Sequence, residues 1–284
     1  MGKLTAATFL IGMVLRVLSA CNNSQNAAPT ISDSDDIATV VKSASVETEC
    51  VVVKGVDKIL SDKAPPIIIV GENHGYKGAP SLVKALLCHA TKRGINAHLA
   101  LEFSRNGEAQ AQSFIKSNGS KADYRTILSD SRWLSLSDGR HTSATFGLLE
   151  YLQALPSGEK IDVSYFVPSS NEMKAFSGGA GFAKNYEIAL ADNLKSIFQR
   201  YNPDKMIVLI GNLHAMRGEA RFGGATYLTM ASHFSHKEAV SLNTSNILGN
   251  QFAITLTPAE EGRYDGTYGV ENNDAAPAVP SPFR

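Results

Sequence analysis

The chain has 284 residues, 43% hydrophobic and 19% charged, with 27 basic and 27 acidic side chains and a formal net charge of zero. This composition is ordinary for a soluble globule and excludes wholesale disorder. A neutral balance gives no support to nucleic-acid binding, which asks for a basic face, or to charge-driven attachment to a membrane.

The N-terminus reads as an export signal. Lys3 supplies a small positive region, and residues 4–15 form an apolar run too short to span a bilayer comfortably. Leu18-Ser19-Ala20-Cys21 then resembles the lipobox of bacterial lipoproteins. Residues 1–20 are therefore expected to be a signal peptide, with Cys21 acylated as the first mature residue. An ordinary signal peptide with a chance cysteine is the alternative. No aspartate follows Cys21, which points to the periplasmic side of the outer membrane. Residues 21–46, rich in Asn, Ser, Asp and Ala, are expected to be a tether. A single α/β domain is expected over 47–257, with a loose tail over 258–284. Export leaves Cys50 and Cys88 as an even pair that can form a disulfide, worth about 3–4 kcal/mol in the chain-entropy model. Two buried thiols are the alternative.

Within the domain, apolar runs alternate with helical patterns. Pro66–Val70 predicts a strand, and Leu82, Val83, Leu86, Leu87 and Ala90 predict a helical stripe that Gly94 stops. Ala97–Leu101 is the next strand. After a polar stretch, Phe146, Leu149, Leu152 and Leu155 give a helix closed by Pro156. Val163–Val167 is a third strand, residues 182–201 a long helix, and Met206–Ile210 a fourth strand. A helix near 225–235 and short strands at Ala239–Leu242 and Phe252–Leu256 complete the reading. This alternation predicts an α/β fold, a mainly parallel central sheet with helices on both faces. Its site is expected in a cleft at the C-terminal edge of the strands.

Three strands run directly into ionisable sequence at that edge: into Glu72 and His74, into Glu102, and into Asn212 and His214. Two carboxylates and two imidazoles gathered there can bind a divalent metal such as zinc, manganese or cobalt and activate its water. Alternatively, one histidine acts as general base on water with a carboxylate as its partner. Both routes lead to hydrolysis. No Gly-x-Ser-x-Gly elbow and no phosphate-binding loop is present.

Four segments, Gly71-Glu72-Asn73-His74, Leu99-Ala100-Leu101-Glu102, Asp138-Gly139-Arg140 and Leu209–Ala215, together resemble the erythromycin esterase-like, ChaN-like and TIKI/TraB-like superfamily. The match runs from about 66 to 243. The resemblance implies an α/β fold with a site on Glu72, His74, Glu102 and His214, and places Arg140 in a loop facing it. Arg140 and Asn212 are the expected substrate contacts. Relatives carry an acidic residue at the start of the long helix, a place that Glu187 alone can fill here. The expected activity is hydrolysis of an ester or amide bond in a small molecule or peptide. Haem or metal binding without turnover is the alternative.

The remaining histidines read differently. His89 is expected to be solvated, and His98 to lie near the opposite sheet edge. His233 and His236 suit a helix end, and His141 follows Arg140 as a neighbour of the site. Trp133 is equally suited to stacking on a substrate or to packing.

Overall fold

A computed structural model describes residues 50–134, 139–176, 178, 180–222, 224–246, 253–256 and 263–270. The leader over 1–20, Cys21, the tether over 21–46, Asp138 and the part of the tail beyond 270 lie outside the described residues. No helix among those described is long and apolar enough to cross a membrane.

The sheet is built from β1 (Ile67–Glu72), β2 (Ala97–Ser104), β3 (Asp162–Val167), β4 (Lys205–Gly211), β7 (Ala239–Asn246), β8 (Ala253–Leu256) and β9 (Gly266–Val270). Their order is β3-β2-β4-β1-β7-β9-β8, and every pairing is parallel except β8 with β9. β1 is buried along its whole length. Its β-branched run Ile67-Ile68-Ile69-Val70 suits a strand covered on both sides. Strand alternation deals these side chains to two cores. Ile68 and Val70 join Ile207 and Leu209 on one face, while Ile67 and Ile69 join Met206, Val208 and Ile210 on the other.

The first core is covered by α2 (Gly78–Lys92), α3 (Glu108–Lys116), α4 (Lys121–Leu128) and α5 (Ser143–Ala154). α1 (Val56–Ile59) closes its margin. α2 buries the stripe Leu82, Val83, Leu86, Leu87 and Ala90 as expected. The second core is covered by α7 (Ala180–Tyr201) and a 3-10 turn at Met230–His233. Short α6 (Ser170–Met173) follows β3, and α8 (Asn212–Ala215) follows β4 without a break.

Three expectations are corrected. The segment near 225–235 is not a helix: β5 (Glu219–Phe222) and β6 (Ala225–Leu228) form a hairpin before the 3-10 turn. Two adjacent glycines at 223–224 interrupt any helical stripe, and Thr226 and Tyr227 favour extended backbone. The stretch between β2 and α5, read as merely polar, contains α3 and α4. Ser120 and Asp123 form a reciprocal capping box that starts α4. Within the expected tail, Gly266–Val270 are β9, paired with both β7 and β8.

Cys50 and Cys88 form a disulfide with their Cα atoms 5.7 Å apart and a sequence separation of 38. It fastens the start of the described domain to the last turns of α2. Closing a loop of that length stabilises the fold by about 4 kcal/mol in the chain-entropy model. Urea unfolding of a Cys50→Ser, Cys88→Ser variant is expected to lose stability on that scale, and reduction of the wild type to reproduce the loss.

Candidate active site

The carboxyl ends of β1, β2 and β4 bring Glu72, His74, Glu102 and His214 together, as the topology requires. Glu102 is the centre. The parallel ladder between β2 and β4 runs from Ala97–Lys205 to Leu101–Leu209 and stops there. One residue later, Glu102 Oε2 accepts the Gly211 N–H at 2.7 Å, so a side chain takes over where the backbone ladder ends. On its other side β2 slips register against β3 between Leu101 and Ser104. Such a bulge re-aims a side chain at a strand end, and here it falls on Glu102. The carboxylate is 3% exposed. Its Oε1 accepts no hydrogen bond but meets Arg140 Nη2 at 3.2 Å and faces His214 Nε2 at 3.6 Å. Oε2 faces His74 Nε2 at 3.8 Å.

Each imidazole is held from behind by its own carboxylate. His74 Nδ1 lies 2.9 Å from Glu72 Oε1, and His214 Nδ1 lies 2.8 Å from Glu187 Oε1. Both Nε2 atoms therefore turn toward Glu102. Arg140 Nε donates to His74 Nε2 at 3.4 Å, which requires that nitrogen to carry a lone pair and assigns His74 its neutral Nδ1–H form. Gly211 lets the ring approach: a Cβ there would stand 2.9 Å from His74 Nε2. Gly139 lies under His74 in the left-handed region, φ +69°, and a Cβ there would stand 3.0 Å from His74 Cβ.

Electrostatics separate the two pairs. Burial raises the Glu72 carboxyl above its usual range, against the opposing His74 hydrogen bond and charge. Burial disfavours charge on His214 too, but the Glu187 hydrogen bond and the charges of Glu102 and Glu187 outweigh it, so its pKa is raised. The imidazolium form of His214 is thus favoured relative to a free imidazole.

Glu187 is missing from the four-residue cluster read in the sequence. It is 2% exposed, and its second oxygen accepts the Met230 N–H at 2.7 Å. The signal was its place at the start of the long helix. Tyr186 beside it sets its ring edge-on to His214 at 5.7 Å. The C-terminal segment contributes as well. Tyr264 Oη donates to the Asn212 carbonyl at 2.9 Å, the Arg217 N–H binds the Arg263 carbonyl, and the Arg217 side chain pairs with Asp265 at 2.9 Å. Asn212 Nδ2 donates to Asn73 Oδ1 at 2.8 Å, a bridge between the β1 and β4 loops.

The metal expectation is corrected. Among the described residues no group of three or more His, Cys, Asp or Glu is placed to hold a metal ion. The Arg140 guanidinium stands against Glu102, where a cation would have to sit, and repels one. Zinc, manganese and cobalt do not fit this donor set.

Other candidates lie elsewhere. His141 is buried and stacks on Phe103 with ring centres 4.2 Å apart. Trp133 is buried edge-on to Phe103 and Phe146, which settles its role as packing. His98 sits at the far edge against Ser164, its pKa pushed down to about 4 by burial. His89 is not simply solvated, since its Nε2 meets the Val51 carbonyl at 2.9 Å. His236 pairs with Asp265 at 2.8 Å.

No protein-family model matches the chain, and no curated protein matches it by sequence. Solved structures do. A succinoglycan biosynthesis protein is 12% identical with a TM-score of 0.52, over 68% of this chain and 68% of that one. The erythromycin esterase EreC in its open conformation is 11% identical with a TM-score of 0.50, over 78% of each chain. ChaN of Campylobacter jejuni, solved with haem, is a looser likeness at 15% identity and a TM-score of 0.43, over 75% of this chain and 90% of that one. At such identities a likeness speaks for architecture and leaves the chemistry open. The chain has the α/β fold of the erythromycin esterase, and at the level of fold the resemblance legible in its strand ends holds.

Proposed function

We propose that this protein is a metal-independent hydrolase of ester or amide bonds. The observation that supports it is the convergence of two histidine–carboxylate pairs on one buried carboxylate and one arginine. In this reading His74 Nε2 takes a proton from water while Glu72 holds the tautomer and stabilises the imidazolium that forms. The water oxygen bonds to the substrate carbonyl carbon. Arg140 faces the developing oxyanion. His214, kept protonated by Glu187, gives its proton to the leaving oxygen or nitrogen as the carbon–leaving-group bond breaks. Glu102 fixes the spacing of all three groups. Asn212 lines the approach.

His74→Ala and His214→Ala are each expected to lower turnover of a cleaved ester by about 10²–10⁴-fold while the circular dichroism of the fold is kept. Unchanged turnover in both would refute the hydrolase. A Soret band on hemin titration, lost in His74→Ala, would favour haem storage instead.

The alkaline side of the pH profile reports on His214. The acid must be protonated, so the rate falls on the alkaline side as His214 loses its proton. The alkaline limb lies above pH 6.5, because the His214 pKa is raised from that value. Removing the Glu187 charge leaves burial as the main influence, which lowers the pKa. Glu187→Gln is therefore expected to shift the alkaline limb toward acid, read from the rate measured across a pH series.

We further propose that the protein is exported and held by a lipid on Cys21 at the periplasmic face of a bacterial outer membrane. The lipobox-like residues 18–21 support this, as does the Cys50–Cys88 disulfide, a bond of oxidising compartments. Cys21→Ser is expected to move the protein from the membrane to the soluble fraction, and mass spectrometry of the wild type to find a diacylated or triacylated N-terminal cysteine. An unmodified N-terminus would sink the proposal.

A further inference from the structure

The donors gathered at the site are mostly engaged with one another. Glu102 Oε2 takes the Gly211 N–H, Arg140 directs Nη2 to Glu102 and Nε to His74, and Asn73 takes Asn212 Nδ2. The Tyr186 hydroxyl is different. Its side chain is half-buried, and the oxygen is open to solvent and makes no hydrogen bond among the described residues. A phenol carries one O–H to donate, and here no protein acceptor takes it.

The ring that carries this hydroxyl is fixed. Tyr186 lies in the second turn of α7, directly before Glu187, whose carboxylate is tied to His214 Nδ1 and to the Met230 N–H. Phe182, one turn earlier, stacks on the Tyr186 ring with 9° between their planes and 6.0 Å between their centres. Phe176 in turn stands edge-on to Phe182 at 5.8 Å, and the Tyr186 ring meets His214 edge-on at 5.7 Å. The charges that bear on the phenol show where its oxygen points. Burial and then the Glu102 charge push its pKa above the ordinary value, Arg140 opposes them, and Glu187 weighs less than either charge. Glu187 is the next residue in the chain, yet Glu102 on β2 acts more strongly. The hydroxyl therefore leans off its own helix toward the Glu102–Arg140 pair. It also keeps its proton through the neutral range and so stays a donor.

We propose that Tyr186 is a further catalytic residue, its hydroxyl donating to the substrate carbonyl oxygen and holding the oxyanion together with Arg140. The proposal rests on the hydrolase reading of the same site. Arg140 brings a charge, but Glu102 beside it offsets that charge. The phenol brings a neutral donor whose direction is set before substrate arrives. Negative charge grows on the carbonyl oxygen as the water oxygen bonds to the carbonyl carbon, so this hydrogen bond strengthens toward the transition state. No proton leaves the phenol and no bond to it forms. The proton of the water still passes to His74, and that of the leaving group still comes from His214.

Tyr186→Phe removes one oxygen and keeps the ring against Phe182 and His214, and unchanged circular dichroism checks that the fold is kept. With p-nitrophenyl acetate as the probe it is expected to lower kcat by about 10²–10³-fold with KM little changed. A loss of the same size is expected on ethyl acetate, with the alkaline limb left in place. A role exerted through His214 would instead spare p-nitrophenyl acetate, whose leaving group needs no acid, and would move the limb. A second readout needs no turnover. Phenyl methylphosphonate, a tetrahedral anion, is expected to bind the full chain in calorimetry, and about ten- to a hundredfold more weakly after Tyr186→Phe. A kcat kept by Tyr186→Phe would overturn the assignment and leave the hydrolase standing. If the wild type cleaves neither ester, the hydrolase reading falls, and phosphonate binding lost in Tyr186→Phe sustains the Tyr186 donor on its own. Phosphonate binding absent from the wild type, or untouched by Tyr186→Phe, would overturn the donor.

Discussion

A single carboxylate determines how this site is built. Glu102 stands where β2 and β4 stop pairing, and its hydrogen bond to the Gly211 N–H continues in side-chain form what the backbone had done up to Leu101 and Leu209. A carboxylate so deeply buried is tolerated only when its charge is met. Here it is met by a backbone N–H, by Arg140 and by two imidazoles at 3.6 and 3.8 Å. The same oxygen atoms that complete the sheet thus fix the spacing of the reactive groups. A loop-borne carboxylate would have no such reference frame.

The outer ring of the site follows from that centre. Each histidine needs a second carboxylate to orient its ring, and the two come from different places. Glu72 is two residues from His74 on the same strand end. Glu187 reaches His214 from α7, 27 residues away in sequence. The first pair is local and rests on the turn after β1. The second depends on α7 packing against the sheet through Leu190, Ala191 and Leu194. Helix packing on that face therefore bears on the protonation state of His214 as directly as any residue in the cleft.

Much of this was legible in the sequence, for identifiable reasons. Strands such as Ile67–Val70 and Met206–Ile210 are buried on both faces and so read as continuous apolar runs, and their ends mark the functional edge. The helical stripe of α2 declared itself through its period. What escaped was governed by contacts that local pattern does not carry. β9 is a strand because β7 and β8 flank it, not because Gly266-Thr267-Tyr268-Gly269-Val270 has a strong preference. The β5–β6 hairpin was mistaken for a helix because its residues alternate too briefly to show a period of two. Glu187 was visible only as an acidic residue in a suitable place. The metal reading went astray because the sequence shows which donors are present and not which of them already hold one another, nor that Arg140 sits among them.

Tyr264, Arg263 and Asp265 give the far C-terminal segment a part in this arrangement. They grip the turn that carries Asn212 and His214, from the carbonyl of Asn212 to the N–H and side chain of Arg217. That grip joins the last strands and the reactive turn into one cooperative unit with a shared free energy of opening. Fraying that began at β9 would not stay at the periphery of the molecule. It would reach His214 before it reached the middle of the sheet, so the site inherits the breathing of a segment more than fifty residues downstream.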